Sequence, residues 1–210
     1  MTNFDMAVKK LKPGMVAMLG IPFDGGATFM PGPALAPRRI REVLHNGSAN
    51  LCAESGIDLE RESNWQDAGD LVLSPGIIAL EQIELAVGRL LDTGGRVLAL
   101  GGDHSVTYPV LRAYARKYPG LNILHLDAHP DLYDVYDGNR FANACPFARI
   151  MEEGLAARLV QAGIRTMNPH QLNQAERFGV QVIEMREWSP EKIIDIPGPV
   201  YLSLDMDVLD

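Results

Sequence analysis

The sequence predicts an α/β fold, in which a mainly parallel sheet lies between two layers of helices. Short apolar runs alternate with segments of helical spacing along most of the chain, and this alternation is typical of parallel sheets covered on both faces. Glycine and proline residues separate successive elements. The 210 residues are 47% apolar and contain no internal repeat, low-complexity tract or linker. We therefore expect residues 1–210 to form one domain with a sizeable core.

Apolar runs predict buried strands over residues 15–21, 97–100, 122–126, 159–164, 180–184 and 200–204. Helical spacing predicts helices over residues 38–44, 74–92, 106–117, 147–153, 169–178 and 190–194. The Ser74-Pro75 pair is typical of a helix start, whereas Pro109 is expected to interrupt its helix near the beginning. Residues 46–73 are polar and irregular, and no element is predicted there.

The charge and the cysteine content exclude several classes of partner. A formal net charge of −8 is unfavourable for binding nucleic acid or an acidic membrane. It suits a metal or a cationic substrate, although acidic surfaces also serve solubility. No apolar run approaches the ~18 residues that span a bilayer, and residues 1–12 lack the apolar centre of a signal peptide. Cys52 and Cys145 have no metal-binding spacing and are expected to be free thiols, which favours a cytoplasmic protein without nucleic-acid or membrane partners.

Three polar segments directly follow predicted strands. They are GGDHS at 101–105, DAHPD at 127–131 and DMD at 205–207. Because the carboxyl ends of parallel strands share one edge of a sheet, we expect the three segments to converge. Alternate residues of an extended chain point to the same side, so Asp127, His129 and Asp131 would face one pocket, as would Asp205 and Asp207.

The residue types at these strand ends favour a metal site. Gathered carboxylates repel one another and raise at least one pKa, and divalent cations relieve that repulsion. An oxygen-rich set with two imidazoles suits Mn²⁺ better than a thiolate-seeking metal. Each segment alone has a simpler interpretation, namely a turn with a surface histidine, an Asx-turn cluster or a solvated chain end. Their occurrence together favours a site built from His104, Asp127, His129, Asp131, Asp205 and Asp207.

These segments resemble the signature motifs of the ureohydrolase family, manganese enzymes that include arginases, agmatinases and guanidino-acid hydrolases. The resemblance rests on GGDHS at 101–105, DAHPDLYD at 127–134 and SLDMDVLD at 203–210, together with the opening segment GIPFDGGATFMPGPALAPRRIRE at 20–42. It implies an arginase-like fold, two Mn²⁺ ions, a small cationic guanidino substrate and release of urea. Agmatine is the expected substrate because PFDGG at 22–26 is more similar to agmatinase-type members, with arginine and guanidino acids as alternatives. The resemblance also suggests a homo-oligomer, either a trimer or a hexamer.

The family pattern implies a role for each position. One manganese would be bound by His104 and Asp131, the other by His129 and Asp207, with Asp127 and Asp205 bridging both. Water activated between the ions would attack the guanidinium carbon, so His129 and Asp131 belong to the expected catalytic machinery. Asp103 would either orient His104 or cap the turn.

Two departures from the family pattern bear on activity. Asn143 stands where the family often has a histidine that transfers protons, and asparagine cannot ionise. It could hydrogen-bond the substrate instead, or slow turnover. The chain also ends at Asp210, inside the third motif, whereas the family continues with a substrate loop, further strands and a carboxylate that grips the guanidinium. We expect the C-terminal part of the fold to be missing, so that the chain is truncated or needs a partner.

Three alternatives to an active ureohydrolase remain. A catalytically impaired metal-binding paralogue is favoured by Asn143 and opposed by the intact set of six ligands. A deacetylase-type hydrolase shares a related sheet, but its tandem histidine pair is absent. Nucleotide binding through Gly101 and Gly102 is disfavoured because the spacing is not G-x-G-x-x-G.

Overall fold

Parallel strands flanked by helices form the fold in a computed structural model that describes residues 2–189, 191 and 194–209. The strands are β1 (Val16–Ile21), β2 (Trp65–Asp70), β3 (Arg96–Gly101), β4 (Asn122–Leu126), β5 (Arg158–Ile164), β6 (Gln181–Glu184) and β7 (Val200–Leu204). The helices are α1 (Asn3–Lys10), α2 (Ala36–His45), α3 (Ile77–Leu91), α4 (Thr107–Lys117), α5 (Pro146–Glu152) and α6 (Pro169–Phe178). The predicted three-layer α/β class is confirmed.

The strands are divided between two sheets. One has the order β2-β1-β3 and the other the order β6-β5-β4-β7, and every pairing is parallel. In the described part of the chain β3 and β7 are not hydrogen-bonded to each other, and a cleft of about 410 Å³ lies between them. The predicted sheet is therefore present in two parts, and the three polar segments follow β3, β4 and β7.

Apolar burial fixes the positions of these strands. β1 is buried from its second residue to its last, as expected for a strand covered on both faces. Leu19 and Ile123 are fully buried in a cluster of apolar side chains that extends along the chain from Ala7 to Ala175. Burial of each such side chain contributes about 1.5–3 kcal/mol. The core therefore holds the strand ends in place.

Most predicted elements are confirmed, and three match to the residue: β4, α6 and β7. The prediction that residues 46–73 form no element is wrong, because β2 lies there. Its sequence WQDAGD is polar since it is an edge strand paired only with β1. The N-terminal helix α1 is also absent from the predicted elements. It begins with a capping box between Thr2 and Asp5.

The starts of α3 and α4 differ from the prediction, and the differences lie at glycine and proline residues. Pro109 lies in the first turn of α4 without interrupting it, because amide groups there have no partner within the helix. α3 begins at Ile77 after Gly76, not at Pro75. The predicted helix over 190–194 falls largely on residues outside the described ones.

Two further expectations concern thiols and membranes. Cys52 and Cys145 are unpaired, and Cys145 is buried, which confirms the free thiols. None of the described helices combines the length and the apolar composition that crossing a bilayer requires.

Gly102 sets how closely the GGDHS segment approaches the loop that follows β1. A Cβ atom at Gly102 would lie 1.7 Å from the carbonyl oxygen of Phe23. We expect Gly102→Ala to lower the free energy of unfolding by about 1–3 kcal/mol, the cost typical of overpacking. Chemical denaturation measures this. The control Gly88→Ala lies in α3 with nothing within 4 Å of its Cβ, and it should raise stability by about 0.5–1 kcal/mol. Equal effects of the two changes would contradict the prediction.

Candidate metal centre

The three polar segments meet at the carboxyl ends of β3, β4 and β7. His104 begins a short 3₁₀ turn after β3, Asp127 follows β4 and Asp205 follows β7. The backbone amide of Asp205 donates to the carbonyl of Leu126 at 2.9 Å, so the ends of β4 and β7 are joined. The strand order therefore explains why distant parts of the sequence share one site.

The ring of His104 lies where three carboxylates meet. Its Nδ1 atom is 3.1 Å from Asp127 Oδ2 and 3.0 Å from Asp131 Oδ2. Asp205 Oδ2 is 3.4 Å from the same nitrogen. The nitrogen is buried and has no hydrogen-bonding partner of adequate geometry. A buried imidazole nitrogen surrounded by carboxylate oxygens is an arrangement that a divalent cation completes.

Asp127 lies between the carboxylates around His104 and a second cluster formed with His129 and Asp207. Its Oδ2 faces His104, and its Oδ1 is 3.5 Å from His129 Nδ1. His129 Nδ1 is 2.9 Å from Asp207 Oδ2. The ligand atoms of Asp127, His129 and Asp207 all lie within 4.8 Å of one another. The structure thus brings the six predicted side chains together in two groups that share Asp127, while their role in binding metal stays a prediction.

The side chains converge through tight turns, and the predicted alternation along an extended chain is wrong. Residues 127–131 form no strand. Asp127 Oδ1 accepts a hydrogen bond from His129 N at 2.6 Å, and Asp205 Oδ1 accepts one from Asp207 N at 3.2 Å. Both are Asx turns. The Asx-turn interpretation and the metal-site prediction therefore describe the same residues.

The backbone of Asp131 is held in an unfavourable conformation. Its φ of 48° lies in the left-handed region, which costs of the order of 1–3 kcal/mol for a residue other than glycine. Neighbouring contacts enforce it, since Phe147 N donates to Asp131 O at 3.3 Å and Leu132 N donates to Gln171 Oε1 at 3.4 Å. This turn directs the Asp131 carboxylate back towards His104.

Burial and crowding change the pKa values within the cluster. Burial raises the pKa of Asp131 to about 6, and the charge of Asp127 adds to this effect. Burial opposes ionisation of Asp127, but the imidazoles of His104 and His125 outweigh it and hold its pKa below the usual range. Burial alone would lower the pKa of His104, yet Asp127 and Asp131 raise it well above its ordinary value. The cluster therefore stabilises positive charge, which a bound cation can supply.

Two side chains that sequence reasoning missed support the centre. Ser203 Oγ is 3.0 Å from His104 Nε2, which leaves Nδ1 to face the carboxylates. His125 is fully buried, and its Nε2 is 2.8 Å from Asp127 Oδ2. Burial lowers the pKa of His125 to about 4, so its ring is neutral at pH 7. The two residues are register partners on β4 and β7, a relation that requires knowledge of the strand order.

Asn143 lines the cavity beside the cluster. Its side-chain Oδ1 accepts a hydrogen bond from Thr28 N at 3.0 Å, and its backbone amide donates to Gly26 O at 2.8 Å. The residue therefore fastens the loop that follows β1. Its predicted catalytic position next to the cluster is compatible with this geometry and stays a prediction.

Asp103 caps the turn that carries His104. Its Oδ1 accepts from Ser105 N at 2.9 Å, and its Oδ2 accepts from Gly26 N at 2.8 Å. Because Ser203 rather than Asp103 contacts the ring of His104, these contacts support the turn-cap alternative. They also show that Asp103 anchors the loop after β1.

Comparisons with known proteins agree with this geometry. A family model described as the arginase family matches residues 15–210. The chain is 40% identical to arginase 1, mitochondrial, of Arabidopsis thaliana, over 92% of this chain and 61% of that protein. It is 36% identical to the agmatinase of Bacillus anthracis, over 93% of this chain and 68% of that protein. The chain thus spans about three fifths of the length of the plant arginases it matches.

Solved structures show the same fold. The structure resembles arginase from Medicago truncatula with a TM-score of 0.79 and 36% identity, covering 88% of this chain and 61% of the other. It resembles proclavaminate amidino hydrolase from Streptomyces clavuligerus with a TM-score of 0.75 and 33% identity, covering 85% and 61%. The predicted resemblance is confirmed.

The anchoring role of Asp103 can be tested at one amide. We expect Asp103→Asn to accelerate hydrogen exchange of the Gly26 amide, because one of the two carboxylate oxygens is replaced by a group that cannot accept a hydrogen bond. The Gly32 amide, which donates to Asp24 Oδ2 at 2.7 Å, is the internal control and should be unaffected. NMR measures the exchange of each amide. Unchanged protection of the Gly26 amide in Asp103→Asn would contradict the anchoring role of Asp103.

Proposed function

Because this chain belongs to the arginase family, we propose that it forms the metal-binding part of an enzyme that hydrolyses a guanidinium C–N bond and releases urea. The observation that carries the proposal is the buried Nδ1 of His104, which faces three carboxylate oxygens between 3.0 and 3.4 Å away. Buried charges of one sign are stable only when they are paired or bind a metal. A metal-free structural role would not require so many aspartates at one point.

The donor set fits two divalent cations. Four carboxylates and two imidazoles are oxygen-rich with some nitrogen, which suits Mn²⁺. We propose that His104 and Asp131 hold one ion and His129 and Asp207 the other, with Asp127 and Asp205 between them. When bound, such a pair of ions lowers the pKa of water and supplies a nucleophile at neutral pH.

The residues of this chain would bind and orient the substrate next to that centre. A cavity of about 660 Å³ reaches from Thr28 to Gln171 and includes His129, Asp131 and Asp207 in its lining. A guanidinium group is planar and carries several N–H donors, for which polar groups along the cavity wall offer acceptors. Tyr136 and Asn143 add polar groups along the wall.

The lining favours agmatine over arginine. Three aspartates and no lysine or arginine occur among the described residues that line this cavity. The α-carboxylate of arginine would therefore meet no lysine or arginine side chain there, whereas agmatine lacks that carboxylate and needs no such partner. Plant arginases and a bacterial agmatinase are both relatives at 36–40% identity, which supports guanidino chemistry with either substrate. Guanidino acids, which also carry a carboxylate, are disfavoured for the same reason as arginine.

A second candidate is a metal-binding relative with impaired catalysis. Asn143 cannot transfer a proton, and its Oδ1 is already used by Thr28 N. In that case the centre would bind metal without rapid release of urea. Three further expectations stay predictions: a single domain, a trimeric or hexameric assembly, and a cytoplasmic location. The location is open because plant relatives are named mitochondrial.

Metal analysis tests the centre directly. After loading with Mn²⁺ and removal of free ions, we expect about two ions per chain. Asp127→Asn should lower the affinity by more than ~100-fold, beyond the ~10–100-fold typical of residues that only support ligands. The matched control Asp134→Asn changes a nearby carboxylate that pairs with Arg149 outside the cluster, and it should retain both ions. Loss of metal from the control alone would contradict the assignment.

Urea release tests the reaction and the substrate. With Mn²⁺ bound, we expect a higher kcat/KM for agmatine than for arginine, because the described lining offers no lysine or arginine to pair with the α-carboxylate of arginine. Asn143→His should raise kcat by up to ~10²–10⁴-fold by restoring a group that can transfer a proton. Asn139→His, in the same segment but outside the cavity lining, is the control. Bound metal without urea from this chain, together with urea from Asn143→His, would favour the catalytically impaired alternative. Bound metal with no gain in Asn143→His would contradict a proton-transfer role for position 143.

A further inference from the structure

His125 is a buried polar residue next to the candidate metal centre, and it is not one of the six predicted ligands. It lies on β4, two residues before Asp127, and its side chain is fully buried. Its ring packs against Phe147 with 4.0 Å between the ring centroids. A buried imidazole needs partners for both nitrogens, and the neighbouring strand β5 supplies one of them through Gln161.

The orientation of the Gln161 amide is fixed by the backbone. Gln161 Nε2 donates to the carbonyl oxygen of Pro130 at 2.6 Å. With the amide reversed, two oxygens that can only accept hydrogen bonds would face each other at that distance. The same Nε2 is 3.0 Å from His125 Nδ1. Because the nearby group is an N–H donor, Nδ1 of His125 must be the accepting nitrogen.

This hydrogen bond sets the position of the proton on the ring. A neutral imidazole that accepts at Nδ1 carries its proton at Nε2. His125 Nε2 is 2.8 Å from Asp127 Oδ2, so it donates to that oxygen. Both ring nitrogens are then engaged, and His125 has no lone pair left for a metal ion, although its position close to His104 and Asp127 would otherwise suit a ligand.

Asp127 is thereby held at both oxygens. Oδ2 accepts from His125, and Oδ1 accepts from His129 N at 2.6 Å. The carboxylate plane is fixed while Oδ2 still faces His104 at 3.1 Å. A carboxylate that would hold metal ions depends on neighbouring groups that fix its orientation.

We propose that Gln161 and His125 are positioning residues that orient Asp127 through a chain of hydrogen bonds from the Pro130 carbonyl to the metal centre. This inference rests on the proposed function, since it assigns a role towards the ions that Asp127 would hold. The strand pairing builds the chain: Gln161 on β5 and His125 on β4 are register partners. Ser203 is the register partner of His125 on β7 and contacts His104, so one row across three strands supports two of the ligands.

The test compares Mn²⁺ affinity in matched variants by isothermal titration and by the EPR signal of free Mn²⁺. His125→Phe keeps a ring against Phe147 but removes the donor to Asp127, and it should weaken binding ~10–100-fold. His125→Gln places an amide N–H near the position of Nε2 and should recover most of the affinity. Gln161→Met should weaken binding as well. Gln174→Met, at a buried glutamine of α6 whose Nε2 has no partner, controls for the loss of a buried amide and should leave affinity unchanged.

A spectroscopic readout is independent of metal binding. In ¹⁵N-histidine-labelled, metal-free protein at pH 8, the long-range ¹H–¹⁵N spectrum should show His125 with a protonated Nε2 and an unprotonated Nδ1. A protonated Nδ1 would overturn the proposal, as would unchanged Mn²⁺ affinity in His125→Phe when the wild type binds tightly. Failure of the wild type to bind Mn²⁺ would overturn the proposed function together with this inference. Thermal unfolding of each variant identifies a loss of Mn²⁺ affinity that only reflects misfolding. If His125→Phe does not fold, the Mn²⁺ affinity of His125→Gln tests the proposal, and it should remain close to that of the wild type.

Discussion

Repulsion between buried carboxylates is the constraint on which this site depends. Asp127 and Asp131 approach the same nitrogen of His104 at 3.1 and 3.0 Å, in a region from which most water is excluded. Charges of one sign in such surroundings have to be neutralised, either by a proton or by a cation. The neighbouring Asx turns place further carboxylates at the same point. This arrangement is expected for a centre in which bound ions supply the positive charge.

The fold brings these groups together through strand order and short turns. β4 and β7 are neighbours, so the segments that begin with Asp127 and Asp205 lie side by side. β3 belongs to the other sheet, and His104 reaches the cluster through a turn capped by Asp103. The hydrogen bond between His104 and Ser203 then links the two sheets at the site. Rigid strands supply the positions, while the Asx turns supply the directions of the carboxylates.

The amino-acid sequence predicts those features that depend on local pattern. Apolar runs identify the buried strands, and residue type at the strand ends identifies the six side chains of the cluster. β2 is not predicted because an edge strand needs no apolar run, as WQDAGD shows. His125 and Gln161 are not predicted because a histidine inside a strand is indistinguishable from a core residue until the register with β5 is known. The left-handed backbone of Asp131 likewise depends on contacts that are distant in sequence.

The predicted roles of individual residues also depend on contacts that the local sequence pattern does not show. A motif specifies which residues approach the centre, but the hydrogen bonds around each residue specify what it can do there. Asp103 belongs to the first motif and yet serves the turn and the loop after β1. His125 belongs to no motif that sequence reasoning used, and yet it contacts the carboxylate that the two groups share.

Anomalous diffraction from crystals grown with Mn²⁺ is the most direct measurement of the central claim. We expect two anomalous peaks, one between His104 and Asp131 and one between His129 and Asp207, with Asp127 contacting both ions and His125 contacting neither. A single peak bound by the ring of His125, or no peak at these strand ends at saturating Mn²⁺, would contradict it.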